Sequence, residues 1–581
     1  MKRLTRRDFI RGSAYAMGAF AVSTGLQGCF DSSDDNTVSA RFDQGVASGD
    51  PLQDRVIIWT RAVPETSATD SDVTVNYEVA EDDAFTEVIR NGQKEVTADN
   101  DYTLKVDVQG LVPGKTYYYR FSAGGNTSVT GTTRTLPEGQ VEQVRLAVVS
   151  CSNYPAGFFH SYREIANEPD LDALVHLGDY LYEYGTGEYA TEDAERLGRV
   201  PEPANELFTL TDYRQRYAQY RSDKDLRAVH RTLPMIAVWD DHEVANDAWK
   251  EGAENHQEDE GDFAARKRDA LQAYFEWMPV RPVQENDQAI YRRFDFGNLV
   301  SLHMLDTRII GRDEPFTLGE FFTQSGFDQA RFTAEVGDEN RSLLGAEQLN
   351  WLQNQINGST ATWQVLGQQV LMGRMELPTE LIEALPTQPG ATPDPTTFSQ
   401  LVPDLVQIKQ RIIQGDPTVT DDEKARVETV LPYNLDAWDG YFAERERVLG
   451  AALQADRNLV VLAGDTHNAW ANNLTDQNGA PVGAEFATAS VTSPGLESYL
   501  GLSDEQQIGA FEGALQLLID NLQYTNVNQR GYMMVTFTAN EARADWRFLT
   551  TIKSDDSGID EERNKSLRIR AGEKQIEPIQ R

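Results

Sequence analysis

Six short apolar runs constrain this chain more than any other feature: Leu146-Ala-Val-Val149, Leu174-Val-His-Leu177, Met235-Ile-Ala-Val238, Leu299-Val-Ser-Leu302, Val365-Leu366 and Leu459-Val-Val-Leu-Ala463. Runs of this length without polar alternation belong to strands buried on both faces, as in sheets covered by helices. Helical patterns lie between them. In Thr211–Tyr220, Tyr213, Tyr217 and Tyr220 share one face, which reads as packing. The expected catalytic domain, 141–552, is therefore α/β (α+β), a sandwich of buried sheets flanked by helices. Within it, 250–262 read as an acidic exposed loop and 376–422, rich in Pro and Thr, as an insertion that could cover a site. Residues 553–581 read as a weakly ordered polar tail.

A different pattern precedes this domain. Between Arg41 and Pro137 come Val56–Trp59, Val73–Tyr77, Leu104–Val108 and Tyr117–Phe121, short β-rich runs separated by Gly, Pro, Asp and Asn. Regular short strands of this kind predict a small fibronectin/Ig-like β-sandwich over 41–137. Its Leu111-Val-Pro-Gly-Lys-Thr-Tyr117 segment places a tyrosine at a corner between strands. No catalytic set is visible there.

The first residues are a targeting segment and not part of the fold. Lys2, Arg3, Arg6, Arg7 and Arg11 precede a small-residue apolar stretch from Ser13 to Leu26, too short to span a bilayer. Arg6-Arg7-Asp8-Phe9-Ile10 resembles a twin-arginine signal, and Leu26-Gln27-Gly28-Cys29 resembles a lipobox with Cys29 as the acylated residue. The expectation is a 1–28 signal, a polar tether over 29–40 and an exported, periplasmic or cell-surface chain anchored by lipid. A soluble chain cleaved near this point is the alternative. No later stretch reaches the ~18 apolar residues of a spanning helix, so the lipid is the only membrane contact expected.

The formal net charge of −39 narrows the range of partners. A field of that sign repels nucleic acid and anionic lipid, so neither is expected as a general partner. A monomer is expected.

The residues just beyond each apolar run carry chemistry. After Val149 and Ser150 comes Cys151; after Leu177 come Gly178, Asp179 and Tyr182; after Val238 come Asp240, Asp241 and His242; after Leu305 come Asp306 and Arg308; after Ala463 come Asp465 and His467. Ligands in α/β sheets gather beyond the carboxyl ends of strands. Any one of these residues could be a satisfied core polar group, but the converging set predicts metal binding. The chain has two cysteines, so with Cys29 acylated or removed Cys151 stands alone in an oxidising compartment. It is then either a buried small hydrophobe or a thiolate protected by coordination. Thiolate and tyrosinate suit a trivalent ion such as iron(III), while carboxylates with Asn246 suit calcium.

Taken together, Gly178-Asp-Tyr-Leu-Tyr-Glu-Tyr184, Trp239-Asp-Asp-His-Glu-Val244 with Asn246, Leu305-Asp-Thr-Arg308, Asp436-Ala-Trp-Asp-Gly-Tyr441, Gly464-Asp-Thr-His467 and Ser490-Val-Thr-Ser-Pro494 resemble the motifs of the alkaline phosphatase D (PhoD-like) family. The resemblance runs from about Val141 to Thr551 and extends, more distantly, to purple acid phosphatases and calcineurin-like metallophosphoesterases. In those relatives an Asp-x-His motif stands where this chain has Cys151, so their zinc or manganese assignments do not carry over. The resemblance implies Fe(3+) held by Cys151, Asp179 and Tyr182, with Asp179 bridging to Ca(2+). It implies that Asp240, Asp241, Asn246, Asp465 and His467 complete the cluster. It makes His242 a phosphate contact or general acid, with Arg266 and Arg308 as candidates for holding phosphate oxygens.

The implied activity is hydrolysis of phosphomonoesters, and of some diesters, by hydroxide or oxide activated on metal. No phosphate-binding Gly-rich loop with Lys and Ser/Thr is present, nor a Gly-x-Ser-x-Gly elbow, which sets aside nucleotide-driven and serine-esterase chemistry. Two other readings fit the same motifs: a dedicated phosphodiesterase acting on phospholipid headgroups, and a lipid-anchored metal- or phosphate-binding protein without turnover.

Overall fold

The computed structural model describes residues 38–65, 71–282, 289–324, 326–384 and 395–579. The signal, the lipobox and nearly all of the tether therefore lie outside the described residues. Among the described residues no helix is long and apolar enough to cross a membrane.

Two large mixed sheets carry the chain. The first has ten strands; its centre is Gln143–Val149, Ala173–His176 and Pro234–Ala237, all parallel. The second has seven, with Val300–Met304, Trp363–Gly367, Asn458–Ala463 and Pro481–Ala487 parallel at its centre. Every apolar run singled out in the sequence overlaps one of these central strands. They are buried along their length because both faces are covered: Leu459 through Ala463 are all solvent-free.

The sheets pack against each other through large side chains. Trp546 on the first sheet donates its indole N–H to the Ala487 carbonyl of the second at 2.8 Å, and Trp363 returns a bond to the Thr538 carbonyl at 2.7 Å. A buried indole needs such a partner, and each pair also fixes how the sheets sit face to face. Helices cover the outer faces. Tyr213, Tyr217 and Tyr220 of helix Leu210–Tyr220 are all fully buried, in keeping with packing.

The N-terminal β region is a sandwich around Val56, Ile58, Val75, Val79, Tyr117 and Phe121. Tyr117 accepts a hydrogen bond from the Val112 N–H at 2.8 Å, closing the expected tyrosine corner. One of its sheets is nevertheless not its own. Val46–Gly49 pairs in parallel with Pro234–Ala237, so Val46–Gly49, Arg55–Arg61 and Thr103–Gln109 continue the ten-stranded sheet. Pairing covers what would otherwise be an exposed strand edge. Gly49 is needed at the junction: a Cβ there would sit 2.5 Å from the Pro279 carbonyl oxygen.

The C-terminal segment corrects the sequence reading. Its polarity predicts weak order, yet Lys565–Arg570 and Ile576–Pro578 form the outer strands at the other edge of the ten-stranded sheet. Leu567 and Ile569 alternate with Ser566, Arg568 and Arg570 and bury one face, a period-two signal hidden by the surrounding polarity. The 376–422 insertion is largely helical, with Thr379–Ala384, Pro395–Ile413 and Asp421–Glu428.

Candidate metal centre

The loops that leave the carboxyl ends of the two parallel sets of strands meet and interlock. Gly464 shows how tightly: an added Cβ would lie 2.7 Å from Ser150 Cβ. Gly178, at φ 109°, has Asp240 Cβ only 2.4 Å from where its own would stand. The loop carrying Cys151, that carrying Asp179 and that carrying Asp465 are thus in direct contact.

Backbone strain concentrates at this junction. Cys151 (φ 60°), Asp179 (55°), Asp247 (50°), Asp465 (61°) and His467 (63°) all adopt the left-handed region that side-chain-bearing residues avoid. Strain of roughly 1–3 kcal/mol per residue persists only where surrounding contacts over-determine it, and it gathers at functional sites.

Among the described residues the side chains form three overlapping groups, with the ligand atoms of each group within 4.8 Å of one another: Cys151, Asp179 and His467; Asp179, Asp241 and His242; Asp240, Asp241 and Asp465. Tyr182 joins the first group. Its hydroxyl donates to Asp179 Oδ2 at 3.0 Å, accepts from Ser493 Oγ at 2.6 Å, and lies 3.2 Å from His467 Nε2. His467 Nδ1 donates to the Pro494 carbonyl at 2.7 Å, which fixes the proton there and turns the Nε2 lone pair toward the group. Burial pulls the His467 pKa down to about 3, so the ring stays neutral, the form that ligates.

The arrangement has the marks of a cation site. Asp179 Oδ1 and Asp240 Oδ2 are buried without a hydrogen-bond partner. Burial, added to by neighbouring carboxylates, pushes Asp179 well above the usual carboxylate range; Asp240 is driven the same way by burial, against the pull of Arg308. Burial also lifts the Cys151 thiol and the Tyr182 phenol well above their ordinary values. So many buried acids cannot all be ionised without added positive charge. A multivalent cation fits this donor set of thiol, phenol, imidazole and carboxylates.

His242 stands beside the acids. Its Nδ1 lies 2.7 Å from Glu183 Oε2, and its ring packs 4.1 Å from that of Tyr182. Burial lowers its pKa, but Glu183, Asp241 and Asp179 together outweigh that and hold it well above 6.5. Glu183 is itself pinned by N–H groups of Asn246 and Asn255, each at 2.8 Å from Oε1. Glu243, next in sequence to His242, accepts from the backbone N–H of Asp179 (3.1 Å), Tyr180 (2.5 Å) and Asp240 (2.7 Å), tying two loops of the centre to one carboxylate.

The sequence-derived set is thus mostly brought together, with three departures. Arg308 is fully buried and holds carboxylates: its guanidinium donates to Asp240 (2.5 Å), Asp436 (2.7 Å) and Asp465 (2.7 Å). Arg266 faces elsewhere, contrary to the expectation that it holds phosphate. It bonds Tyr213 Oη, the Asn255 carbonyl and, at 2.6 Å, Glu206, so its donors are spent on an ion-pair network. Asn246 sends its side-chain amide to Glu254 at 3.1 Å, away from the carboxylates; only its backbone N–H touches the site's Glu183.

Residues that the reading of strand ends did not single out include Glu183, Glu243, Asp247, Asp436 and Ser493. Asp247 donates its N–H to Asp241 Oδ2 at 2.6 Å, and Asp436 is shared between Arg308 and Arg312. Glu183, Glu243, Asp436 and Ser493 each lie inside a quoted motif, which was the available signal.

Comparison with known proteins identifies the family. The family model for the PhoD-like phosphatase matches residues 146–546, and that for the PhoD-like phosphatase N-terminal domain matches 28–137. Alkaline phosphatase D of Bacillus subtilis (strain 168) is 34% identical over 574 residues, covering 95% of this chain and 86% of the relative. A solved structure of PhoD superposes with a TM-score of 0.73 at 30% identity, covering 94% of each chain.

Proposed function

This chain belongs to the PhoD-like phosphatase family and is a phosphoric ester hydrolase, and we propose that it works through a metal centre at the interlocked strand ends. The observation that carries the proposal is the convergence of Cys151, Asp179, Tyr182 and His467 with Asp240, Asp241 and Asp465 around two orphaned carboxylate oxygens. The donor chemistry supports iron(III) at Cys151, Asp179, Tyr182 and His467, with calcium among Asp179, Asp240, Asp241 and Asp465. Bound ions would supply the positive charge that a phosphate ester needs and would activate the attacking water.

The protein's own groups do the remainder. Arg308 holds Asp240, Asp436 and Asp465 in one fork and fixes their spacing. Glu183 engages Nδ1 of His242, leaves Nε2–H to face the substrate, and favours the imidazolium. In that state His242 can donate a proton to the departing ester oxygen. Glu243 and the close contact at Gly178 keep the loops from relaxing apart.

Export and anchoring belong to the same proposal. Arg6-Arg7-Asp8-Phe9-Ile10 and Leu26–Cys29 support a twin-arginine route with lipid at Cys29. Intact mass of the membrane-extracted chain tests this: an acylated N-terminal Cys29 is expected, and a mature chain lacking Cys29 contradicts it. The catalytic proposal is tested by assaying a chromogenic phosphomonoester and its matched diester before and after chelation. Turnover abolished by chelator and restored by iron with calcium is the expected result.

A further inference from the structure

An apolar cavity of about 60 Å3 lies among the segments that frame the metal centre, and its surface carries no polar atoms. That volume is well above the ~10–15 Å3 one water needs, yet a lining without polar partners leaves water nothing to bond. Leu377, Leu381 and Val402 come from the 376–422 insertion, with Met375 just before it; Phe511, Leu515 and Leu518 come from helix Glu505–Leu518. Tyr433, Trp470, Leu496 and Leu500, also in the wall, belong to segments that touch the centre.

Three connections tie the two together. Trp470, a wall residue, donates its indole N–H at 2.8 Å to the hydroxyl of Thr466, which sits between Asp465 and His467. Tyr433, another, lies close enough to Asp465 to feel its charge and is three residues from Asp436. The one-turn helix Leu496–Tyr499 comes just after Pro494, the residue whose carbonyl orients His467. Leu496 and Leu500 line the cavity, while Tyr499 reaches the other way and meets the Tyr189 hydroxyl at 3.1 Å, with Tyr189 Oη 3.4 Å from His467 Nδ1. A single turn of chain therefore borders both the cavity and the centre.

We propose that this cavity is an ester-arm subsite, taking an alkyl or acyl chain of the phosphate ester whose phosphate is held at the metal centre. The inference rests on the phosphoesterase reading of that centre. A chain is favoured over a sugar or a base because the lining offers no hydrogen-bond partner to a polar group, and burying an unpaired one costs more than it returns. Seating methylenes, in contrast, gains affinity with each carbon.

The test uses the full-length metal-loaded protein with two series, n-alkyl phosphates and n-alkyl 4-nitrophenyl phosphates, from methyl to octyl. In whichever series is hydrolysed, kcat/KM is expected to rise about two- to fourfold per methylene over the first carbons and then level off. Ala514→Phe, which fills the cavity, should flatten that gradient, and Leu515→Ala, which enlarges it, should move the plateau to longer chains. Rates independent of chain length, with turnover intact, overturn the subsite and leave the metal-centre reading standing. No turnover of either series by protein with confirmed metal overturns both.

Discussion

Glu183 Oε2 and His242 Nδ1 are 2.7 Å apart, both side chains buried, at a sequence separation of 59. The pairing engages Nδ1 of His242, favours the imidazolium and leaves Nε2 free of Glu183, which together make an acid of it.

The leaving group should reveal that role. His242→Ala is expected to lower kcat by about 10²–10⁴-fold on alkyl esters, whose alkoxide needs a proton, and far less on 4-nitrophenyl esters. Glu183→Gln should act in the same direction more mildly. It should also shift the alkaline limb of the pH–rate profile downward, because the carboxylate that favours the imidazolium is gone. Equal losses on both kinds of ester would show that His242 only positions.

Glu243 gives a prediction about assembly. Its two oxygens serve three backbone N–H groups, and an amide in its place turns a donor toward donors. Glu243→Gln should cost about 1–3 kcal/mol in urea unfolding and lower metal occupancy, with activity per bound metal nearly unchanged. Elemental analysis beside the unfolding curve separates these effects.

The two arginines should part company. Arg266→Ala is expected to destabilise the fold, leaving Glu206 only the Asn255 amide in place of its cation, with KM for phosphate esters little changed. Arg308→Ala removes the one cation shared by Asp240, Asp436 and Asp465, so it should abolish stable metal loading.

How far the sequence spoke is clear from these residues. Cys151, Asp179, Asp465 and His467 were legible because each lies just beyond an apolar run, and the parallel strands carry them to one place. Glu183 and Ser493 were not assigned roles, because their partners are set by topology: Ser493 meets Tyr182 across 311 residues. The partner of Arg266 was not legible either: Glu206, which it bonds at 2.6 Å, lies in a loop with no pattern. The shared ten-stranded sheet was illegible for a related reason. Val46-Ala-Ser-Gly49 is short and small, and its parallel pairing with Pro234–Ala237 leaves no local mark. The outer strands near the C-terminus did leave one, in the alternation around Leu567 and Ile569.

His176 is one of the buried histidines that should make the fold sensitive to acid. Its Nε2 lies 2.9 Å from Tyr162 Oη, and burial pulls its pKa from 6.5 down to about 3. The unfolded chain therefore takes up a proton near pH 6.5 that the folded chain refuses until about pH 3. Stability present above pH 6.5 should be lost progressively as pH falls through that window. The slope of unfolding free energy against pH between 6.5 and 3 should be shallower in His176→Gln than in the parent, and identical slopes would exclude the histidine as the cause.

The central claim is that hydrolysis depends on cations held at the Cys151–Asp179–Tyr182–His467 convergence. The most direct measurement is metal content by elemental analysis alongside phosphoester turnover, for the parent and for Cys151→Ala, before and after chelation. The account predicts iron and calcium in fixed ratio to the chain, loss of iron and activity together in Cys151→Ala, and turnover that vanishes with chelation and returns with metal. Full turnover by a folded, metal-free chain would contradict it.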